Sequence, residues 1–190
     1  MIIHKIFDIH DIDVNQKYGD NLPYSFHLKA VVAQGKIFSK EWDYLIVKHS
    51  LGMELNEVSN KLVRTEMLEF VLAGHDLIED ARMTYNDVKQ MAYRYFYDDS
   101  IATLLADIIY DVTDEKGKNR GERKNNKFYS ALKKNELALF VKLADMAANR
   151  MYSKLFNTKQ YNMYKEEFEK FKQKTYTNSL ANMFNYVNSI

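Results

Sequence analysis

An all-α fold is predicted by the scarcity of helix breakers, the spacing of apolar residues and the lack of alternating segments. The 190-residue chain contains one proline and six glycines, so few positions interrupt a helix. Apolar residues recur every three or four positions along most of the chain, as on one face of a helix. No stretch alternates clearly between apolar and polar residues, although Met1–Phe7 taken alone could form a short strand. We therefore expect a bundle of about seven or eight helices.

Two segments give the strongest helical signal. In segment 62–78 apolar residues cover much of the helix circumference, so this helix is expected near the centre of the bundle. In segment 136–156 the apolar positions are Leu137, Phe140, Val141, Ala144, Ala148 and Tyr152. These positions are separated mostly by three or four residues, which predicts a long amphipathic helix.

Capping residues predict where two further helices begin. Thr84 precedes the acidic turn YND, which is typical of an N-cap followed by a first helical turn. Asp99 or Ser100 is expected to cap the next run, IATLLADIIYDV.

Two polar stretches are expected to be loops. The first, Tyr18–Pro23, is dense in turn-forming residues. The second, Asp114–Lys127, is polar throughout and rich in Lys and Arg. The chain beyond Tyr161 keeps aromatic residues at helical spacing, so we expect a packed final helix pair there.

Composition is that of an ordinary globular protein. The 27 Lys and Arg residues nearly balance 26 Asp and Glu residues, so no net field favours nucleic acid or a membrane surface. The absence of cysteine excludes disulfides, zinc–thiolate sites and cysteine nucleophiles.

The N-terminus does not resemble a signal peptide, and no apolar run approaches the roughly 20 residues that span a bilayer. We expect a single domain, 1–190, in a soluble cytoplasmic protein.

The segment LEFVLAGHDLIED contains the most informative polar residues. Its apolar run ends in His75, Asp76, Glu79 and Asp80 rather than in a glycine, proline or cap. If the segment is helical, Asp76 shares a face with Asp80, and His75 shares one with Glu79. Burying such groups costs several kcal/mol unless something compensates, and a divalent cation does so naturally.

Two more polar residues interrupt apolar helices. Asp145 lies within LALFVKLADMAANR, and His27 follows the proline turn in PYSFHLKAVV. A site for a divalent cation needs three or four ligands from different elements. Together with His75 and Asp76, these residues would supply two imidazoles and two carboxylates.

The motifs PYSFH, HDLIED, VTDEKGKNRGERK and VKLADMAANR resemble the HD-domain metal-dependent phosphohydrolases. The chain is most similar to the (p)ppGpp hydrolase domains of RelA/SpoT proteins and their small stand-alone relatives, over roughly residues 15 to 155 in the same order. The resemblance implies a compact HD-domain helical bundle with a central metal site, most often for Mn²⁺. The implied metal ligands are His27, His75, Asp76 and Asp145.

The resemblance also implies roles for residues around the metal. Glu79 and Asp80 are the acidic pair that positions or deprotonates the attacking water. Lys17, Tyr24 and Asn149 match positions that contact the nucleotide.

The implied reaction is hydrolysis of the 3'-pyrophosphate of guanosine nucleotides of the stringent response. Arg123 and Lys124 are expected to reach the substrate phosphates. There is no room for a synthetase domain, so the implied activity is hydrolytic only.

The chain departs from the family pattern at several points. Gln16 stands where the family usually has an arginine that grips the nucleotide, and Leu28 follows His27 in place of a common proline. Segment 40–60 is longer than its usual counterpart, and the N-terminal helix is shorter. These departures concern recognition of guanine and of the phosphates, whereas the implied metal ligands are all present.

Two other functions remain open. One is an HD phosphohydrolase acting on another nucleotide, such as a nucleoside mono- or triphosphate or a phosphorylated dinucleotide. The other is a nucleotide-binding module without catalysis. Nucleic-acid binding through Asp114–Lys127 is less favoured because that stretch lacks interleaved aromatic residues and contains Glu115 and Glu122. The oligomeric state cannot be predicted.

Overall fold

Helices account for nearly all regular structure in the computed structural model. The structure describes residues 2–50, 60–115 and 117–190, except for the side chain of residue 120. The α-helices of these ranges are α1 (Ile2–Asp8), α2 (Ser25–Ile37), α3 (Ser39–Ser50), α4 (Lys61–Gly74), α5 (Tyr85–Phe96), α6 (Asp99–Val112), α7 (Arg120–Arg123), α8 (Asn126–Lys134), α9 (Glu136–Phe156), α10 (Thr158–Thr175) and α11 (Ala181–Ser189). The all-α prediction is confirmed.

The described ranges contain more helices than the seven or eight that were expected. The excess comes from short elements, since α7 has four residues and α1 has seven. Segments of that length are too short to display a helical period. The N-terminal residues, which taken alone resemble a strand, form helix α1. The polar stretch 114–127, expected to be a loop, contains α7 and the start of α8.

The turn predicted at Tyr18–Pro23 is a small antiparallel hairpin. Its strands are β1 (Lys17–Tyr18) and β2 (Leu22–Pro23), with Tyr18 opposite Leu22. Gly19 has φ = +55°, and a Cβ there would lie 1.9 Å from the hydroxyl oxygen of Tyr152. Glycine is therefore required at this turn for its backbone angle and for the close approach of a tyrosine on α9.

Capping confirms one predicted helix start and corrects the other. The Thr84 side chain accepts from the Asp87 backbone N–H, and the Asp87 carboxylate accepts from the Thr84 backbone N–H. Helix α6 is capped by Asp98, whose side chain accepts from the backbone N–H of Ile101. The cap is thus one residue before Asp99, because only an extended residue can turn its side chain back over the first turn.

Helix α9 forms the centre of the core. Every residue from Leu137 to Ala148 is buried, and α9 packs against α2, α3, α4, α6, α8, α10 and α11. The helix expected over 62–78 is α4, which ends at Gly74 and buries its second half. The predicted final helix pair is confirmed as α10 and α11, and both pack on α9.

Close packing of α2 on α4 fixes the position of the predicted site. A Cβ on Gly35 of α2 would lie only 2.4 Å from Cδ1 of Leu72 on α4, and the Leu72 side chain is fully buried. The two helices can approach this closely because Gly35 has no side chain. His27 on α2 is thereby brought to the end of α4.

Two sequence predictions fall partly outside the residues that the structure describes. Residues 51–59 of the longer segment 40–60 and residue 116 of the basic stretch lie outside the described residues. Within the described part of the chain, no helix combines the length and the apolar character needed to cross a bilayer.

Candidate metal centre

His27 reaches the site from the first turn of α2. The helix begins at Ser25, whose backbone N–H donates to the Asp11 carboxylate over 2.9 Å. The His27 ring is 3% exposed and stacks on Tyr18, with ring centroids 4.8 Å apart. Its Nδ1 is buried with no hydrogen-bond partner among the described residues, whereas Nε2 points to the other candidate ligands.

His75 and Asp76 lie where α4 ends. The helix stops at Gly74, and the chain continues in turns through residue 80. The His75 Nδ1 lies 2.9 Å from the carbonyl oxygen of Leu72, which can only accept. Nδ1 therefore carries a proton, and Nε2 is left to face the site. Such a bond orients a metal-binding imidazole.

The turn after α4 keeps one helical feature that the sequence predicted. The Asp80 backbone N–H donates to the carbonyl oxygen of Asp76 over 2.9 Å, so the two acids lie one turn apart on the same side. The helical geometry itself has ended, because Gly74 is the last helical residue and His75 is its C-cap.

Asp145 projects from the middle of α9 and is 8% exposed. The Asn149 amide, one turn later, donates to its Oδ1 over 2.5 Å. The Tyr18 hydroxyl in turn donates to the side-chain oxygen Oδ1 of Asn149 over 2.9 Å. Asn149, which was expected to contact substrate, holds Asp145 in this structure.

The four predicted ligands converge from three separate segments. Candidate donor atoms of His27, His75 and Asp76 all lie within 4.8 Å of one another. The two Nε2 atoms are 3.4 Å apart, and Asp145 Oδ1 lies 3.4 Å from His27 Nε2 and 3.8 Å from His75 Nε2. His75 Nε2 is 2.9 Å from Asp76 Oδ2.

These distances fit one ion. Ligands bound at about 2.1 Å are separated from one another by roughly 3.0 to 3.4 Å in octahedral or tetrahedral geometry. The separations of 2.9 to 3.8 Å lie close to that range. The group of His27, His75 and Asp76 could hold a metal ion, and Asp145 Oδ1 lies next to it, 3.4 Å from His27 Nε2.

The charges of the site are strongly coupled. Burial alone would lower the pKa of His75, but the neighbouring Asp76 and Asp145 outweigh burial and raise it to about 9. Burial would raise the pKa of Asp76, yet His75 holds it well below its usual range. The pKa of Asp145 is also depressed, since Lys142 and His27 outweigh its burial. The carboxylates thus stay ionised and favour a positive charge between them.

Glu79 lies between an arginine and a backbone amide. Its Oε1 accepts from Arg123 Nη1 over 3.1 Å, and its Oε2 accepts from the Asp114 backbone N–H at 3.4 Å. Burial and the Asp114 carboxylate raise the pKa of Glu79 above its ordinary value. A carboxylate with a raised pKa is a better proton acceptor near neutral pH.

Tyr24 connects the predicted acid Asp80 to the candidate ligand Asp76. Its hydroxyl lies 2.5 Å from Asp76 Oδ2 and 3.0 Å from Asp80 Oδ2. Burial, followed by the charges of these two carboxylates, raises the pKa of Tyr24 far above its usual range, so the hydroxyl keeps its proton. The predicted substrate contact Tyr24 therefore lies against the candidate ligand Asp76.

A polar cavity of about 230 Å³ opens beside the candidate ligands. Its walls include both predicted acids and cationic side chains, and the lining residues are Tyr18, Tyr24, His27, Asp76, Glu79, Asp80, Asp114, Arg123, Lys124, Lys142, Asp145, Asn149 and Tyr164. Lys17 is exposed on β1 and is not one of them.

Sequence reasoning missed Lys142, which is 7% exposed. Its Nζ lies 3.4 Å from Asp145 Oδ2 and 3.8 Å from Asp114 Oδ1. Burial would lower the pKa of Lys142, but Asp145 and Asp114 raise it, so the ammonium stays charged. Its position was a usable signal, because it is one turn before Asp145 within an apolar run.

Comparison with protein-family models, curated proteins and solved structures finds no match for this chain.

Proposed function

We propose that this protein is a metal-dependent phosphohydrolase that acts on nucleotides. The observation that supports this most is the convergence of His27, His75, Asp76 and Asp145 around a space of ionic size, at the edge of a cavity that also contains Glu79. Three buried polar side chains and the partly buried Asp76, from three segments, would be costly to bring together without a cation.

The chemistry divides between the ion and the side chains. When bound, a divalent cation such as Mn²⁺ supplies Lewis acidity, which lowers the pKa of water and neutralises phosphoryl oxygens. Glu79 accepts the proton of the attacking water, and its raised pKa suits that role. Asp80 orients the same water, and the Asp80 carboxylate is itself held by the Tyr24 hydroxyl.

Cationic side chains in the cavity suit a phosphorylated substrate. Arg123 and the buried Lys142 both line the cavity, on the side of Glu79 and Asp114. A guanidinium and an ammonium can neutralise the phosphate charge that two acids would otherwise repel. Lys124 also lines the cavity and pairs with Glu167 on α10.

The preferred substrate is a (p)ppGpp-type guanosine nucleotide, hydrolysed at its 3'-pyrophosphate. This choice comes from the resemblance of the motifs to RelA/SpoT-type hydrolases. One contact favours a second candidate, an HD-type hydrolase of another nucleotide: the Gln16 amide donates to Asp80 instead of extending to a ligand. Gln16, which stands where the resembled family usually has a nucleotide-gripping arginine, thus bonds within the protein.

A nucleotide panel with Mn²⁺ separates these substrates. We expect wild-type protein to release pyrophosphate from ppGpp and pppGpp. Release of phosphate or pyrophosphate from nucleoside mono- or triphosphates or phosphorylated dinucleotides, with ppGpp untouched, would select the second candidate.

The variant Glu79→Gln tests the catalytic role. It keeps an acceptor for Arg123 but removes the base, so we expect turnover to fall about 10²- to 10⁴-fold while Mn²⁺ content is unchanged. Glu169→Gln on the exposed side of α10 is the matched control. If wild-type and Glu79→Gln protein were equally inert with Mn²⁺ bound, the protein would be a nucleotide-binding module instead.

A further inference from the structure

A chain of hydrogen bonds reaches Asp80 from outside the candidate ligand set. His10 Nδ1 lies 2.9 Å from Gln16 Oε1, and Gln16 Nε2 donates to Asp80 Oδ2 over 2.8 Å. The same carboxylate oxygen accepts from the Tyr24 hydroxyl at 3.0 Å. The Gln16 amide therefore donates to an oxygen of the predicted acid that shares the single proton of the Tyr24 hydroxyl with Asp76.

The direction of every bond in this chain is determined. An ionised carboxylate only accepts, so the amide nitrogen of Gln16 faces Asp80 and its oxygen faces His10. His10 must then carry its proton on Nδ1. Its ring is fully buried and stacks on Tyr24 with centroids 5.0 Å apart, so it cannot rotate to another partner without repacking.

The backbone before the hairpin brings these side chains together. Residues Ile9–Asp13 form a π-helical turn, and Asn15 has φ = +53°. The Gln16 backbone N–H donates to the carbonyl oxygen of His10 over 2.8 Å, which folds the chain back on itself. Asn tolerates this left-handed conformation better than most residues. The unusual backbone thus serves to present Gln16 to Asp80.

An amide orients a carboxylate differently from an arginine. A guanidinium has only donors, so it could donate to Asp80 but could not also accept from His10. The neutral Gln16 amide fixes the direction of Asp80 without adding a positive charge.

We propose that Gln16 and His10 are positioning residues, which hold Asp80 in a single orientation beside Asp76 without neutralising it. This inference rests on the proposed function, since it takes Asp80 as part of the reaction.

The test measures Mn²⁺-loaded protein with ppGpp as substrate. Gln16→Leu removes both bonds, and we expect kcat to fall about ten- to a hundredfold, because small misplacements of a reacting group cost that much. KM and Mn²⁺ content should stay at their wild-type values. Gln160→Leu on the exposed face of α10 is the control.

Two His10 variants separate hydrogen bonding from packing. His10→Asn keeps a donor near the Nδ1 position and loses the ring, whereas His10→Phe keeps the stacking ring and loses the donor. We expect His10→Asn to retain most of kcat and His10→Phe to match Gln16→Leu. Equal kcat in wild type and Gln16→Leu, or the reverse order of the two His10 variants, would overturn the proposal.

A second readout does not depend on turnover. Long-range ¹⁵N–¹H spectra distinguish the histidine tautomers, and His10 is assigned by the signal lost in His10→Asn. We expect Nδ1–H in the wild type and a shift towards Nε2–H in Gln16→Leu. A wild-type Nε2–H tautomer would overturn the positioning network. Wild-type protein that hydrolyses no nucleotide but shows Nδ1–H would instead refute the proposed function and the catalytic purpose of the network.

Discussion

The Nε2 atoms of His27 and His75 lie 3.4 Å apart, although the residues are 48 positions apart in the chain. His75 Nδ1 is already bonded to the Leu72 carbonyl, and both rings are almost fully buried. A positive charge between the two imidazole nitrogens and the neighbouring carboxylates is electrostatically favourable.

Divalent metal should stabilise the folded protein. At Mn²⁺ concentrations of 100 times Kd, we expect about 2.7 kcal/mol and a rise in Tm of roughly 5 to 10 °C. Differential scanning calorimetry after chelation and after Mn²⁺ addition measures this effect. Asp145→Ala should lose most of it and the exposed-site control His49→Ala should keep it. Equal stabilisation of Asp145→Ala would show that this residue is not a ligand.

Replacing the buried Lys142 should destabilise the protein. Lys142→Met leaves the Asp114 and Asp145 carboxylates without their buried cation, so we expect a loss of about 3 kcal/mol in metal-free buffer. Urea unfolding measures the loss. The double variant Lys142→Met/Asp114→Asn should recover part of it, since one unpaired charge is removed. If the changes in unfolding free energy of the two single variants simply added in the double variant, Lys142 and Asp114 would not interact.

Stability should fall with acidity partly through His10. Burial lowers the pKa of His10 below its usual 6.5, so the unfolded chain binds a proton there before the folded protein does. Stability contributed by neutral His10 is therefore present above pH 6.5 and is lost as pH falls below it. His10→Asn cannot titrate at this position.

The difference in unfolding free energy between wild type and His10→Asn should thus shrink as pH falls from about 7.5 to about 5. One group changes this difference by at most about 1.4 kcal/mol per pH unit. Urea titrations at several pH values measure it. A difference that stayed constant, or grew in acid, would rule out a buried neutral His10.

The contact between α2 and α4 should tolerate no added methyl group. Gly35→Ala places a Cβ against the buried Leu72, and we expect a loss of about 1 to 2 kcal/mol after the gain in helix propensity is subtracted. Urea unfolding measures it, with Gly121→Ala as control, since the nearest described atom to a Cβ there is Asn119 Oδ1 at 3.4 Å. Mn²⁺ affinity should fall in Gly35→Ala as well, because the shift separates His27 from His75. Unchanged stability would mean that the helices can move apart freely.

Local features of the sequence determined the helices and several of their ends. Helical spacing identified α4 and α9, and Thr84 marked the start of α5 because a cap acts within one turn of its own chain. The same residues could not reveal that Asp98 rather than Asp99 caps α6, since that depends on which residue is extended.

The candidate ligands were recognisable in sequence as polar residues in apolar surroundings, but their meeting was not. Only the packing of α2, α4 and α9 brings His27, His75 and Asp145 to one point, and packing depends on contacts between distant segments. For the same reason, the bond from Gln16 to Asp80, 64 positions away, was invisible in the sequence. Residue types thus determined which groups were available, and tertiary structure decided which of them act together.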